Sequence, residues 1–147
     1  MLFAKRLVIV SNNYYLDTSI WRDYFEDRKD NLRPLGEFAF RFLKECQKRK
    51  DIVFVSDIVK KELLKYFSIE LVNEIFSSFK DIIVEIMHAE VHVSEAYSFW
   101  IRSNKKYPSS DILHSIIARD NKTLLVSRDK HFQEIGIVEC KLPEEIY

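Results

Sequence analysis

The sequence predicts an α/β fold, a three-layer α/β/α sandwich around a small, mainly parallel sheet. Three observations carry this expectation. Short, β-prone apolar runs alternate with segments of helical periodicity from one end to the other. Only 2 glycines and 3 prolines punctuate 147 residues, too few for a turn-rich sandwich or barrel. With 47% apolar and 14% aromatic residues, the chain can fill one sizeable core, so residues 1–147 are expected to form a single domain.

Each element has a local reason. Tyr14-Tyr15-Leu16 is a short β-prone run that leads into Asp17-Thr18-Ser19, three potential helix caps ahead of the helical spacing in Ile20 to Phe25. Pro34 opens a longer helix with Leu35, Phe38, Ala39, Phe42, Leu43 and Cys46 on its buried stripe, and Lys48-Arg49-Lys50 complement its C-terminal dipole. Ile52 to Val55 is a continuous apolar run, as expected of a strand covered on both faces. Ser56-Asp57 caps a helix predicted through Ile58, Leu63, Leu64 and Phe67, and Leu71 to Phe79 forms another. Ile82 to Ile86 reads as a third strand, Val93 to Asn104 as a helix stopped before Pro108, and Ser109 to Asp120 as the next helix. Thr123 to Val126 follows as a strand, with a last short strand expected around Val138. Right-handed crossovers then force parallel strands, whose carboxyl ends are where such sheets hold ligands.

Lys plus Arg balance Asp plus Glu at 23 each, so the global field draws no polyanion; such a partner must be met by local patches and by metal. Cys46 and Cys140 are too few for a disulfide framework and are expected as ordinary reduced thiols. The apolar run Leu7 to Val10 is too short for a signal peptide, and no stretch is long enough to span a membrane, so a cytoplasmic location is expected.

Four acidic residues stand where this topology places ligands. Asp17 follows the first strand, Glu62 lies within two turns of the helix after the second, Asp111 sits in the opening turn after Pro108, and Asp129 follows the strand ending at Val126. Taken singly, Asp17 and Asp111 suit helix caps, Glu62 a solvated helix face and Asp129 a turn. Taken together, converging carboxylates repel one another unless a cation joins them. Hard oxygen donors suit Mg²⁺ or Mn²⁺, which share coordinated water with phosphate oxygens and serve phosphodiester hydrolysis. The sequence has no Gly-rich phosphate loop, nucleophile elbow or Cys-His ligand set to offer a rival chemistry.

Four segments in order then resemble a known family: Tyr15-Leu16-Asp17-Thr18-Ser19, Ser56 to Leu63, Ser110 to Ala118, and Leu125 to Phe132. Together they are similar to PIN (PilT N-terminus) domains over about Tyr14 to Gly136. The resemblance implies a divalent-metal ribonuclease, often a homodimer, with metal-binding roles for Asp17, Glu62, Asp111 and Asp129. It also implies that Ser19 and Ser127 support the acidic site, and that an antitoxin protein is a candidate partner. Two features depart from many relatives: an additional N-terminal piece, Leu7 to Val10, suited to an edge strand or dimer contact, and Ser109-Ser110 with His114 on the Asp111 helix. The competing expectations are a non-catalytic PIN module that binds RNA or a protein, and a flap-type DNA nuclease, for which the chain lacks room for a helical arch.

Remaining candidates are weaker. His88-Ala89-Glu90-Val91-His92 has the wrong spacing for a zinc helix and no third ligand nearby. His114, one turn beyond Asp111, can orient a carboxylate or simply be a satisfied core histidine. Among the basic clusters, Lys105 and Lys106 precede Asp111, while Arg128 and Lys130 flank Asp129; these four are expected to line an RNA path. Trp21, Tyr24 and Phe25 are expected in the core or at a dimer surface.

Overall fold

The computed structural model describes residues 12–147, so the expectation for Leu7 to Val10 lies outside the described residues. Among these residues five strands form one parallel sheet: β1 (Asn13–Leu16), β2 (Ile52–Ser56), β3 (Ile83–Ile86), β4 (Leu124–Val126) and β5 (Cys140–Lys141). Among the described residues seven α-helices connect them: α1 (Thr18–Glu26), α2 (Leu35–Arg49), α3 (Asp57–Leu63), α4 (Ile69–Ser78), α5 (Glu90–Arg102), α6 (Ser109–Asp120) and α7 (His131–Ile135). A 3₁₀ turn, Pro143–Glu145, closes the chain.

The strand order β3-β2-β1-β4-β5 reverses direction between β1 and β4. Crossovers of one hand therefore cover opposite faces of the sheet before and after that reversal. Adjacent side chains of β1 record the two faces: the Tyr14 ring meets Phe42 of α2 edge-on at 5.0 Å, whereas Tyr15 meets His114 of α6. The larger core joins β1, β2 and β4 to α1–α4, and a smaller cluster of Ala96, Ile112, Ile116 and Ile135 joins α5, α6 and α7.

The switch point between β1 and β4 is the crevice the topology reserves for ligands. Its register matters most: Leu16 pairs with Val126, and the Asp17 backbone N–H donates to the Val126 carbonyl at 3.0 Å. Asp17 is thereby set beside Ser127. Gly36 lets α2 approach the end of α1, because a Cβ there would stand 2.6 Å from Asp27 Cα and 2.8 Å from the Asp23 carbonyl.

Several boundaries differ from expectation. The helix predicted through Phe67 ends at Leu63, because Ser68 caps α4 by accepting the Leu71 N–H while Phe67 turns in to pack on Phe25. The helix expected from Val93 begins at Glu90, where His92 Nδ1 accepts the Ala89 N–H. The last strand forms at Cys140–Lys141 rather than around Val138, where β4 offers its free edge. The short helix α7 has no periodic pattern to announce it; Gly136 ends it at φ +69. Among the described residues no helix is long and apolar enough to cross a membrane.

Candidate functional site

Asp17 occupies the N-cap position of α1 yet makes no capping bond. Its Oδ2 instead accepts hydrogen bonds from Ser19 Oγ (2.7 Å) and Ser127 Oγ (3.0 Å). Both hydroxyls meet the same oxygen, and Oδ1 has no hydrogen-bond partner among the described residues. The carboxylate is only 8% exposed, and no Lys, Arg or His forms an ion pair with it among the described residues. Asp111, third residue of α6, likewise caps nothing; the N-cap there is Pro108. The capping explanation for both residues therefore fails, and two carboxylates are left aimed at the strand ends.

Ser127 also ties in Asp129, whose backbone N–H donates to Ser127 Oγ at 3.0 Å. One serine thus braces both acidic residues at the end of β4. Asp111, Asp129 and His131 each bring a ligand atom within 4.8 Å of the others, the only such group among the described residues. Burial raises the Asp111 carboxyl, and the Asp129 and Asp17 charges push it up further. Crowded carboxylates of this kind are relieved by a cation.

Glu62 is held differently. Its Oε1 accepts from Thr18 Oγ1 (2.9 Å) and from His114 Nε2 (2.6 Å). Burial acts to raise Glu62, but the His114 hydrogen bond and charge outweigh it and keep the carboxyl below its ordinary range. His114 is 1% exposed, and burial disfavours its charged form; the bond to Glu62 and the Asp17, Glu62 and Asp111 charges nevertheless raise its pKa. Its Nε2 bonds Glu62 Oε1, and its Nδ1 bonds Tyr15 Oη at 2.6 Å. Burial raises Tyr15, so its phenol stays protonated; its Oη shares a hydrogen bond with Ser56 Oγ (2.7 Å), which also caps α3 by accepting the Val59 N–H. A buried chain from the β2 cap through β1 and α6 thus orients one carboxylate.

No family model and no curated protein matches this sequence. Solved structures do match. The structure is similar to VapBC2 from Rickettsia felis bound to a promoter DNA fragment, at 17% identity and TM-score 0.67, covering 88% of this chain and 98% of that one. It is similar to FitAcB from Neisseria gonorrhoeae at 14% identity and TM-score 0.60, covering 90% of this chain and 99% of that one. A toxin-antitoxin complex from Klebsiella pneumoniae matches at 16% identity and TM-score 0.59, over 88% and 97% of the two chains. The fold is PIN-like.

Within this PIN-like fold the expected residues are placed unequally. Asp111 and Asp129 lie in the close group; Asp17 and Glu62 lie outside it, although the Asp17 charge acts on Asp111 and both charges act on His114. Ser19, Ser127 and His114 each bond one of the four carboxylates. Lys105, Lys106 and Lys130 are exposed. Lys105 Nζ lies over the Trp100 ring and Lys106 Nζ over Tyr107, which meets His131 edge-on at 6.1 Å. Arg128 does not join them: it forms a two-pronged pair with Glu144 (2.7 and 2.8 Å) and lies 3.4 Å from buried Asp23. Its guanidinium is spent on holding the C-terminal turn to α1 rather than facing solvent.

The tempting histidines of the zinc-like stretch part company, His88 to Asp57 and His92 to Asp120. Thr18, Tyr15 and His131 are the site residues that sequence reasoning passed over. His131 had one available signal, a metal-ligating side chain two residues beyond Asp129.

Proposed function

We propose that this chain is a divalent-metal-dependent endoribonuclease that hydrolyses phosphodiester bonds in single-stranded or loop RNA. One observation carries it: Asp17 and Asp111 sit at helix openings without capping them, while Asp17 lies buried with no cationic partner among the described residues. Uncompensated buried carboxylates are costly, and a cation-binding role accounts for them.

The donor set fits Mg²⁺ or Mn²⁺, since oxygen ligands predominate and crowding already raises Asp111. Asp17 and Asp111 would be the principal ligands, with Glu62 and Asp129 completing the site. When bound, such a cation supplies Lewis acidity toward a phosphodiester and acidifies water. The protein's own residues do the positioning. Ser19 and Ser127 hold Asp17 Oδ2 and leave Oδ1 without a partner among the described residues, and Thr18 with His114 fixes the orientation of the Glu62 carboxylate. Lys105, Lys106 and Lys130 meet RNA phosphates beside the acidic group. Hydrolysis then forms a bond from water oxygen to phosphorus and breaks one phosphorus–oxygen bond of the chain.

The toxin-antitoxin complex among the similar structures supports a toxin-type role with an antitoxin protein as partner; a cytoplasmic homodimer completes the proposal. The test is calorimetric titration of Mn²⁺ into metal-free parent and Asp17→Asn, with RNA cleavage followed in the same samples. Binding and cleavage are both expected in the parent and lost in the variant. Cleavage by Asp17→Asn at the parental rate, or a parent that binds no Mn²⁺, overturns the proposal.

A further inference from the structure

His131 opens α7, two residues beyond Asp129 and far in sequence from Asp111. Its backbone N–H donates to Asp129 Oδ1 at 2.9 Å, which anchors the residue to the acidic turn. Its imidazole Nδ1 stands 3.3 Å from Asp111 Oδ2 and 3.3 Å from Asp129 Oδ1. The contact with Asp111 is a hydrogen bond, but a long one; a charged pair closed on one carboxylate stands at about 2.7–2.9 Å. Here the ring nitrogen is equidistant from two oxygens at a longer separation, as donors are when they surround a common centre. Tyr107 lies edge-on to the ring, with centroids 6.1 Å apart. Beside the group stands Asp17, 8% exposed and without a cation among the described residues, so the demand for positive charge is not local to one residue.

From this geometry we infer that His131 is a nitrogen ligand of the metal centre and makes it select Mn²⁺ over Mg²⁺. The inference rests on the metal centre proposed above. The chemistry is general: Mg²⁺ demands hard oxygen donors in near-ideal octahedral array, whereas imidazole suits transition metals and binds them increasingly well along the divalent series that Mn²⁺ begins. A site with two or three carboxylates and one imidazole is open to both ions but rewards the one that accepts nitrogen.

The experiment uses the full chain, stripped of metal by chelation, as the parent and as His131→Gln. Each is titrated separately with Mn²⁺ and Mg²⁺ by calorimetry, and Mn²⁺-loaded samples are examined by pulsed electron paramagnetic resonance for nitrogen hyperfine coupling. Parent protein is expected to show the coupling, and His131→Gln to lack it. Mn²⁺ affinity should fall on the order of tenfold in the variant, the scale seen when metal sites lose a supporting group. Mg²⁺ affinity should change by less than about twofold, since it gains little from imidazole. Absence of nitrogen coupling in the Mn²⁺-loaded parent overturns the His131 assignment without recourse to any variant. So does tighter Mg²⁺ binding by His131→Gln, the signature of a removed counter-cation; in both cases the carboxylate site stands. A parent that binds neither ion overturns the assignment together with the metal centre.

Discussion

Replacing Tyr15 by Phe tests the buried chain that orients Glu62. The phenol oxygen bonds Ser56 Oγ at 2.7 Å and His114 Nδ1 at 2.6 Å, and Tyr15, Ser56 and His114 are each at most 1% exposed. Phenylalanine keeps the ring and its packing, so no cavity opens and the loss is confined to hydrogen bonding. A buried polar group left without its partner costs about 1–3 kcal/mol, here His114 Nδ1. Ser56 Oγ keeps the Val59 N–H, so its share is smaller, and about 2 kcal/mol is expected in total. In a domain of this size that lowers Tm by roughly 6 °C. Thermal unfolding followed by circular dichroism measures it, and RNA cleavage should fall in parallel, because a His114 ring without its anchor no longer fixes Glu62. A Tm within about 1 °C of the parent would refute the claim that this hydroxyl is a structural link between the β2 cap and the acidic site.

Three further outcomes follow from the same geometry. Charge reversal at Lys105 and Lys106, both exposed, should weaken RNA binding and lower its salt slope by about one per lost phosphate contact; an unchanged slope would remove these lysines from the RNA path. Burial acts to raise Glu144, but the Arg128 hydrogen bonds and charge hold it below the ordinary range, so its stabilisation is present above about pH 4.3 and is lost as pH falls through the depressed folded value. Glu144→Gln should therefore be less stable than the parent at neutral pH and show a flatter acid-unfolding limb below about pH 4, whereas two parallel stability–pH curves would contradict the pairing. Gly36→Ala places a Cβ 2.6 Å from Asp27 Cα, a backbone atom that cannot swing away, and should cost about 1–3 kcal/mol in denaturant unfolding; parental stability would show that α1 and α2 can separate freely.

Much of the architecture was legible because its causes are local. The apolar run Ile52 to Val55, the Ser56 cap and the helix Ser109–Asp120 lie where periodicity and capping chemistry put them. Alternation of strand and helix was enough to imply a parallel sheet and a ligand crevice at its strand ends. The Phe67 boundary was not legible, since helical periodicity continues past Leu63 and only the Ser68 cap and the contact with Phe25 decide where the chain turns.

By itself, then, the sequence determined every main element but α7, their order and the four acidic candidates, because backbone preferences and apolar spacing act over a few residues. Only the tertiary structure decided what each polar side chain does. Asp17 and Asp111 have the sequence context of caps, but the pairing of Leu16 with Val126 gives Asp17 to Ser127, and the approach of α7 to α6 gives Asp111 to His131. Arg128 has the sequence context of a phosphate contact, yet Glu144 and Asp23 take its charge. A side chain's partner is chosen by sheet register and helix packing, which bring distant residues within hydrogen-bonding reach, and neither is written in the few residues on either side of it.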